Sequence, residues 1–587
     1  GGDALATQPA AGGSAEAIGI AIAALVLLIT FGSMAAAGLP LLTAILGVGI
    51  SMTAILALGS VFGLSLTTGT LASMLGLACG IDYALFVVSR FREERAKGHT
   101  PVEAAGLATG TAGSAVVFAG LTVVIALAGL SVVGIPMLAK MGLTAAGAVI
   151  ISVLICLTLV PALLGFWPNA VLARSVRKQR PAGLMARIRK TPRHTGGHTT
   201  GDNHGSRWAR LVIRRPWAVL LAGVIGLGAL ALPATGLQLG MPGAESKPTT
   251  TTERRAYDAL ADGFGPGFNG PLTIVVDAKN SADPKQAVAT ITKDIAATDG
   301  IVSVSPASFN KTGDTAVLSA TPATSPTDKA TIDLVETLRD QRPAIEKQAD
   351  ASYEITGSTA MNIDVAQKFQ SALVPYLITV VGLAILLLML VFRSILVPLK
   401  AALGYLLSVL AALGTVVLVF QHGHGASLLG LESTGPIMSM MPIFLVGIVF
   451  GLAMDYEVFL ISRVREAYVH GDRPTQAIVT GFNTSTRVVT AAALIMIAVF
   501  SGFIGSGESM IKTIGFGLAA AVLFDAFVVR MAIVPAVLTL LGDRAWHLPR
   551  WLDRILPNVD VEGEALTRNH TTPTTETQHE APAVLSR

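Results

Sequence analysis

Two copies of one dodecapeptide hold the residues best suited to chemistry. Asp82-Tyr83-Ala84-Leu85-Phe86-Val87-Val88-Ser89-Arg90-Phe91-Arg92-Glu93 returns 373 positions later as Asp455-Tyr456-Glu457-Val458-Phe459-Leu460-Ile461-Ser462-Arg463-Val464-Arg465-Glu466, identical at seven of twelve positions. Each copy sets an acid beside a phenol in a long apolar stretch, eight residues before an arginine. At 1.5 Å per helical residue, each carboxyl lies about 12 Å along the helix from that basic anchor. Inside a bilayer, a carboxylate costs at least about 2.5–3.5 kcal/mol unless it is paired or protonated, so it must face the interior of a bundle. Asp, Phe and Ser recur at i, i+4 and i+7, on one helix face in both copies. Two carboxyls that meet in a dry interior cannot both stay ionised cheaply, which suits the pair to taking up and releasing protons. Each phenol is placed to donate to the twin carboxyl across a pseudo-symmetry axis. The competing reading is a polar clamp between helices. Its repetition at one depth in both copies favours proton coupling.

Other candidates are weaker. Asp525 and Arg530 form a further pair in an apolar stretch, but an i, i+5 spacing is poor for contact within an α-helix. They are read, with Phe86 and Phe459, as supporting residues only. Glu457 points away from Asp455 and has Ala84 as its counterpart, so it ranks lower still. Cys79 and Cys156 lie in apolar stretches, and His194, His198, His204, His422 and His424 lack acidic or Cys partners at ligand spacing. No metal or cofactor is expected. A nucleotide-driven pump is excluded within this chain, because a phosphate loop needs a Gly-Lys dipeptide and none occurs.

The elements that carry these residues are membrane spans. Among the 587 residues, 52% are hydrophobic and 14% charged, against roughly 25% charged in soluble domains. Mean hydropathy is +0.63. A hydrocarbon core about 30 Å thick takes roughly 20 apolar residues. Eleven stretches qualify: 17–34, 39–62, 69–89, 112–132, 141–166, 216–235, 373–392, 397–420, 437–462, 488–505 and 513–541. Basic residues decide the orientation. Arg90, Arg92, Arg95 and Lys97 follow the third stretch, Arg463, Arg465 and Arg473 the ninth, and Arg544, Arg550 and Arg554 the last. Arg393 and Lys400 flank the turn after the seventh, and residues 171–215 hold twelve Lys/Arg against one acid. All five clusters fall on one side of an eleven-span thread, which is read as the cytoplasm. Anionic lipid explains the basic loop better than nucleic acid does.

Residues 236–372 break the pattern, with seventeen acids against twelve bases. Strands at 272–278, 301–306, 316–321 and 352–357 and helices at 283–297 and 328–349 give the order β-α-β-β-α-β, a ferredoxin-like split motif. The Gly-rich run Gly263–Gly270 precedes the first strand, so it reads as a turn rather than a phosphate loop. The repeat continues through Gly98/Gly471, Pro101/Pro474 and Leu121/Leu494, and through Val160-Pro161-Ala162 against Val534-Pro535-Ala536, one residue out of register. Two parallel copies of a helix bundle follow, as in transporters built from duplicated halves.

The paired Asp-Tyr motifs, the α+β domain and the duplicated bundle resemble the MMPL branch of the resistance-nodulation-division (RND) superfamily. Ala256-Tyr257, the run Gly263–Gly270, Pro549-Arg550-Trp551-Leu552-Asp553-Arg554 and Asp560-Val561-Glu562-Gly563-Glu564 match that family as well. The resemblance implies an RND-like polytopic helical fold with an extracytoplasmic ferredoxin-like porter domain. It also implies export of lipids or hydrophobic small molecules driven by the proton gradient, with Asp82, Tyr83, Asp455 and Tyr456 as proton relay. The expected layout follows. Residues 1–16 end a first outer domain, 17–170 form the first half with five spans, and 171–215 form a cytoplasmic loop. Residues 216–235 form a span, 236–372 the porter domain, 373–541 the second half with five spans, and 542–587 a cytoplasmic tail. The family has twelve spans and two such domains, so the first span and most of the first domain are expected upstream of Gly1. Protons, a lipid-like substrate and membrane lipids are the expected partners, and self-association and accessory envelope proteins stay open. Two other readings are a proton-driven accessory of a secretion system and an intramembrane aspartyl protease. The second lacks a Gly-x-Gly-Asp context at either acid and leaves the duplication unexplained.

The charge clusters generate a topology prediction. A single cysteine at Asp283 should react with an impermeant thiol reagent in intact cells, and one at Gly196 should not. The reverse pattern overturns the orientation.

Overall fold

The computed structural model describes residues 13–62, 66–172, 204–469, 471–505 and 509–554. Among these, ten helices are long and apolar enough to cross a membrane, which makes the chain a multi-pass membrane protein. The first half holds α1 (Gly13–Phe31), α2 (Met34–Phe62), α3 (Leu66–Ala96), α4 (Pro101–Ala128) and α5 (Pro136–Phe166). A short helix α6 (His204–Arg214) leads into α7 (Pro216–Ala231). The α+β unit contains α8 (Thr252–Phe264), α9 (Pro284–Ala296) and α10 (Lys329–Ala349). The second half holds α11 (Ser358–Phe392), α12 (Leu396–Val416), α13 (Met441–Val469), α14 (Pro474–Gly502), α15 (Ser509–Leu523) and α16 (Val534–Leu541). A π-helical stretch, Phe524–Ile533, joins the last two.

Each of the eleven expected stretches falls on a helix, but the ends differ for identifiable reasons. The stretch expected at 17–34 corresponds to α1, whose apolar part Ile18–Phe31 is shorter than the other ten. The third runs on to Ala96 because Arg90 bridges Glu93 at 3.0 Å and Glu94 at 3.2 Å along the same helix. The fourth starts at Pro101 rather than 112, where Thr100 and Glu103 form a reciprocal capping box. The seventh begins at Ser358, so one uninterrupted helix, with Pro375 inside it, runs out of the α+β unit into the bundle. Residues 437–438, expected to open the ninth, form a strand, and α13 starts at Met441. Most of the basic loop, residues 1–12 and the tail after Arg554 lie outside the described residues.

The α+β unit is the expected split motif. Strands β2 (Leu272–Asp277), β3 (Ile301–Val304), β5 (Thr315–Pro322) and β6 (Ser352–Thr356) pair antiparallel in the order β3-β5-β2-β6, with the short β4 (Ser308–Phe309) beside β5. Period-two alternation turns Leu272, Ile274 and Val276 inward. Val288, Ile291 and Ile295 of α9 and Leu334, Val335 and Leu338 of α10 cover that face. Asp283 caps α9 by accepting from the N–H of Lys285 and Gln286, with Pro284 at the first helical position.

A second joint ties this unit to the bundle. β1 (Leu239–Gly240) pairs parallel with β7 (Ile437–Met438), just before α13. Gln421 accepts from the Gln238 N–H at 3.0 Å and donates to the Gly236 carbonyl at 2.8 Å. Glu432 accepts from the Thr249 backbone N–H at 2.7 Å and its hydroxyl at 2.8 Å, and these two bonds hold its carboxyl below the usual range.

Small residues let the helices approach. A methyl on Gly414 of α12 would collide with the Leu230 carbonyl oxygen, whereas Gly38 faces open space. Gly414→Ala should therefore cost about 1–3 kcal/mol through overpacking and lower the thermal unfolding midpoint in detergent. Gly38→Ala should leave it unchanged.

Candidate functional site

Both dodecapeptides lie on the two most enclosed spans, α3 and α13. Asp82 is 3% exposed and Asp455 5%, while Tyr83 and Tyr456 are wholly buried. Tyr83 Oη donates to Asp455 Oδ2 at 3.2 Å, so the first copy's phenol meets the second copy's acid. Tyr456 lies beside Asp82, with its hydroxyl 2.7 Å from Met496 Sδ, and Asp82 Oδ1 has no hydrogen-bond partner. The two acids are thus partnered differently. Phe86 and Phe459 pack with their rings tilted at 4.7 Å between centroids, and Phe86 also meets the Tyr456 ring at 6.2 Å.

Thr122 of α4 completes the shell, with Oγ1 3.3 Å from Asp455 Oδ1 and 2.6 Å from the Ala119 carbonyl. It reaches the acid because Gly451 of α13 leaves room for Val123 and brings the two helices together. The repeat does not mark Thr122, whose counterpart is Ile495. Its signal is a hydroxyl in the most apolar part of α4, two turns beyond Ser114.

Beside the acids runs a chain of buried charges. Arg530 Nε binds Asp525 Oδ2 at 2.5 Å, Arg530 also donates to the Ala453 carbonyl, and its Nη1 lies 3.8 Å from Glu457 Oε2. Glu457 pairs in turn with Lys400 of α12. All four side chains are at most 7% exposed. The Arg530 guanidinium also sits 5.4 Å from the Tyr456 ring centroid, which links this chain to the Asp-Tyr pairs.

Two expectations are extended and one is overturned here. Lys400 does flank the turn, in the first turns of α12, but its four-carbon stem carries the ammonium inward to Glu457. Glu457 does face away from Asp455, but it meets two cations there. Asp525 and Arg530 do touch, because a π-helix closes i to i+5 and stacks residues that an α-helix would splay apart. The repeat explains the π stretch. Met137/Met510, Gly142/Gly515, Ala146/Ala519 and Val149/Val522 match at an offset of 373, but Val160-Pro161-Ala162 matches at 374. One residue has been inserted between 522 and 534, and a single insertion in a helix makes a π-bulge. At those offsets Ser152 stands for Asp525 and Cys156 for Arg530, so the first half has no such acid–base pair.

The MMPL family model matches residues 3–219 and 248–558. Membrane protein YdfJ of Bacillus subtilis is 44% identical over 97% of this chain and 75% of its own length. The mycolic acid-containing lipids exporter MmpL11 of Mycolicibacterium smegmatis is 34% identical over 94% of the chain and 56% of its own length. The trehalose monomycolate exporter MmpL3 of Mycobacterium tuberculosis is 30% identical over 93% and 60%. The chain therefore spans little more than half the length of both named exporters.

The buried charges predict an asymmetric mutational response. Glu457→Gln strands the buried Lys400 ammonium, while Arg530 keeps Asp525, and should cost about 3–5 kcal/mol, whereas Lys400→Met with Glu457→Met should be near neutral. Thermal unfolding in detergent separates the two. Equal losses would show that the pair is not charge-compensated.

Proposed function

The chain belongs to the MMPL family, and on that premise we propose that it is a secondary active transporter that exports lipids or other hydrophobic small molecules in exchange for protons. The Tyr83–Asp455 bond between the two halves carries the reading. Asp82 and Asp455 load and release protons, and the phenols of Tyr83 and Tyr456 donate to whichever carboxylate is ionised. A bond that is stronger to the charged acid makes the fit of α3 against α13 depend on protonation. Asp525 and Arg530 act in support, with Arg530 as the fixed positive charge nearest the site. Phe86 and Phe459 keep the acids dry on the side facing the arginines.

By the positive-inside rule the arginine-rich end and the C-terminus face the cytoplasm, and the α+β unit lies outside the cytoplasmic membrane as a porter domain. The substrate class comes from relatives whose names give mycolic acid-containing lipids and trehalose monomycolate as cargo. One proton supplies about 2.3 kcal/mol per 100 mV, so extracting an amphiphile needs more than one per cycle.

Asn is nearly isosteric with Asp but does not titrate. Asp82→Asn or Asp455→Asn should abolish gradient-driven export at matched expression while folding and substrate binding persist. Tyr83→Phe and Tyr456→Phe should impair it less uniformly. Export near wild type in both Asn variants would sink the relay and leave a structural clamp.

A further inference from the structure

Helix α6 serves no role in the site described above, yet it touches the helix that carries Arg530. Its sequence, His-Gly-Ser-Arg-Trp-Ala-Arg-Leu-Val-Ile-Arg, splits into two faces. Gly205, Ser206, Ala209 and Val212 are buried, and Gly205 lies against Phe482 and Thr486 of α14. Arg207, Arg210, Leu211 and Arg214 share the opposite, exposed face, with Trp208 at its flank 42% exposed. Arg215 follows and α7 enters the apolar layer at Pro216. A short helix with cations and apolar groups on its outer face, at the mouth of a span, lies where headgroups meet acyl chains.

The flank residue makes one more contact. Trp208 Nε1 donates to the Met531 carbonyl at 2.6 Å. In an α-helix that carbonyl would accept from the residue four positions on, which is Pro535 and has no N–H. The indole thus bonds a carbonyl whose α-helical partner the proline withholds, at the residue following Arg530 and near the end of the π stretch.

We infer that α6 is a binding surface for anionic phospholipid headgroups, and that Trp208 transmits their binding to the π stretch and so to Arg530. Charge complementarity selects the occupant: three arginines on one exposed face, a fourth at its end and no acid anywhere in the helix. Phosphodiester groups dock on the guanidinium forks, and Leu211 and Trp208 settle among the upper acyl carbons. Headgroup binding draws α6 toward the bilayer and pulls on the turn at Met531, where Pro535 offers no N–H.

The binding arm uses delipidated protein titrated with phosphatidylglycerol or phosphatidylcholine and read by native mass spectrometry. Wild type should retain phosphatidylglycerol preferentially. Each arginine neutralised in the R207Q/R210Q/R214Q series should lower that preference about fivefold at low salt. Equal retention of both lipids, or a triple variant like wild type, overturns the surface. The coupling arm rests on the relay reading and measures proton flux in phosphatidylcholine vesicles with increasing phosphatidylglycerol. Wild-type flux should rise with the anionic lipid. Trp208→Phe removes the donor, and Pro535→Ala supplies Met531 with a partner N–H inside the helix. Both should lose the response, and Trp208→Phe should still retain phosphatidylglycerol preferentially. A wild-type response in both variants overturns the coupling. If wild type carries no flux in any lipid, the relay reading falls, while the retention arm still decides the surface.

Discussion

Charge inside a low-dielectric bundle is the constraint on which this architecture depends. An unpaired ion there is so costly that each buried ionisable group needs a partner, a proton or a path to water. Lys400, Glu457, Arg530 and Asp525 solve this by pairing end to end across α12, α13 and the π stretch. Asp82 and Asp455 are left with hydroxyl partners and no direct cation. The contrast separates the two groups of acids by chemistry. Those in the ion chain are compensated in place, whereas those in the Asp-Tyr motifs have their needs met only in part, and unequally.

The inequality has a structural origin in the duplication. The two halves agree in the dodecapeptide, in the glycine and proline that follow it, and in the direction of every matched span. They part at one inserted residue, which turns a helical stretch into a π-helix and brings Asp525 onto Arg530. The positions equivalent to Glu457, Asp525 and Arg530 are Ala84, Ser152 and Cys156, none of which carries a buried charge. Symmetry thus provides the paired carboxyls, and its breakage places a cation near only one side of them.

The Asp-Tyr motifs and the α+β unit were legible in the chain because each has a strong local signature, a repeated dodecapeptide in one case and strict alternation in the other. The ion chain was not. Lys400 stands near a turn, and whether its ammonium reaches outward or inward depends on side-chain direction, which periodicity does not record. Asp525 and Arg530 were judged by α-helical geometry, the wrong geometry for that segment. The one-residue slip at Val534-Pro535-Ala536 was visible beforehand, but only the backbone ties it to a π-helix. The early start of α11 was hidden by Asp364 and Lys368, which suppress hydropathy without interrupting the helix. Thr122 was missed because it is one of several hydroxyls in its helix and has no twin in the other half.

The helix from Ser358 to Phe392 has a mechanical consequence. Thirty-five residues at 1.5 Å each make a strut about 52 Å long, with one end rooted in the α+β unit and the other at the arginine-rich rim. A tilt of a few degrees about its middle displaces the far end by roughly 1–2 Å with no side chain changing rotamer. Pro375 removes one rung from the hydrogen-bond ladder near that middle, so flexure concentrates there. The β1–β7 joint supplies the second point of attachment, on the segment that opens α13. Two anchorages and one compliant point restrict the directions in which the unit can tilt against the bundle, so a lever of this length would carry a small rearrangement deep in the bundle out to its periphery.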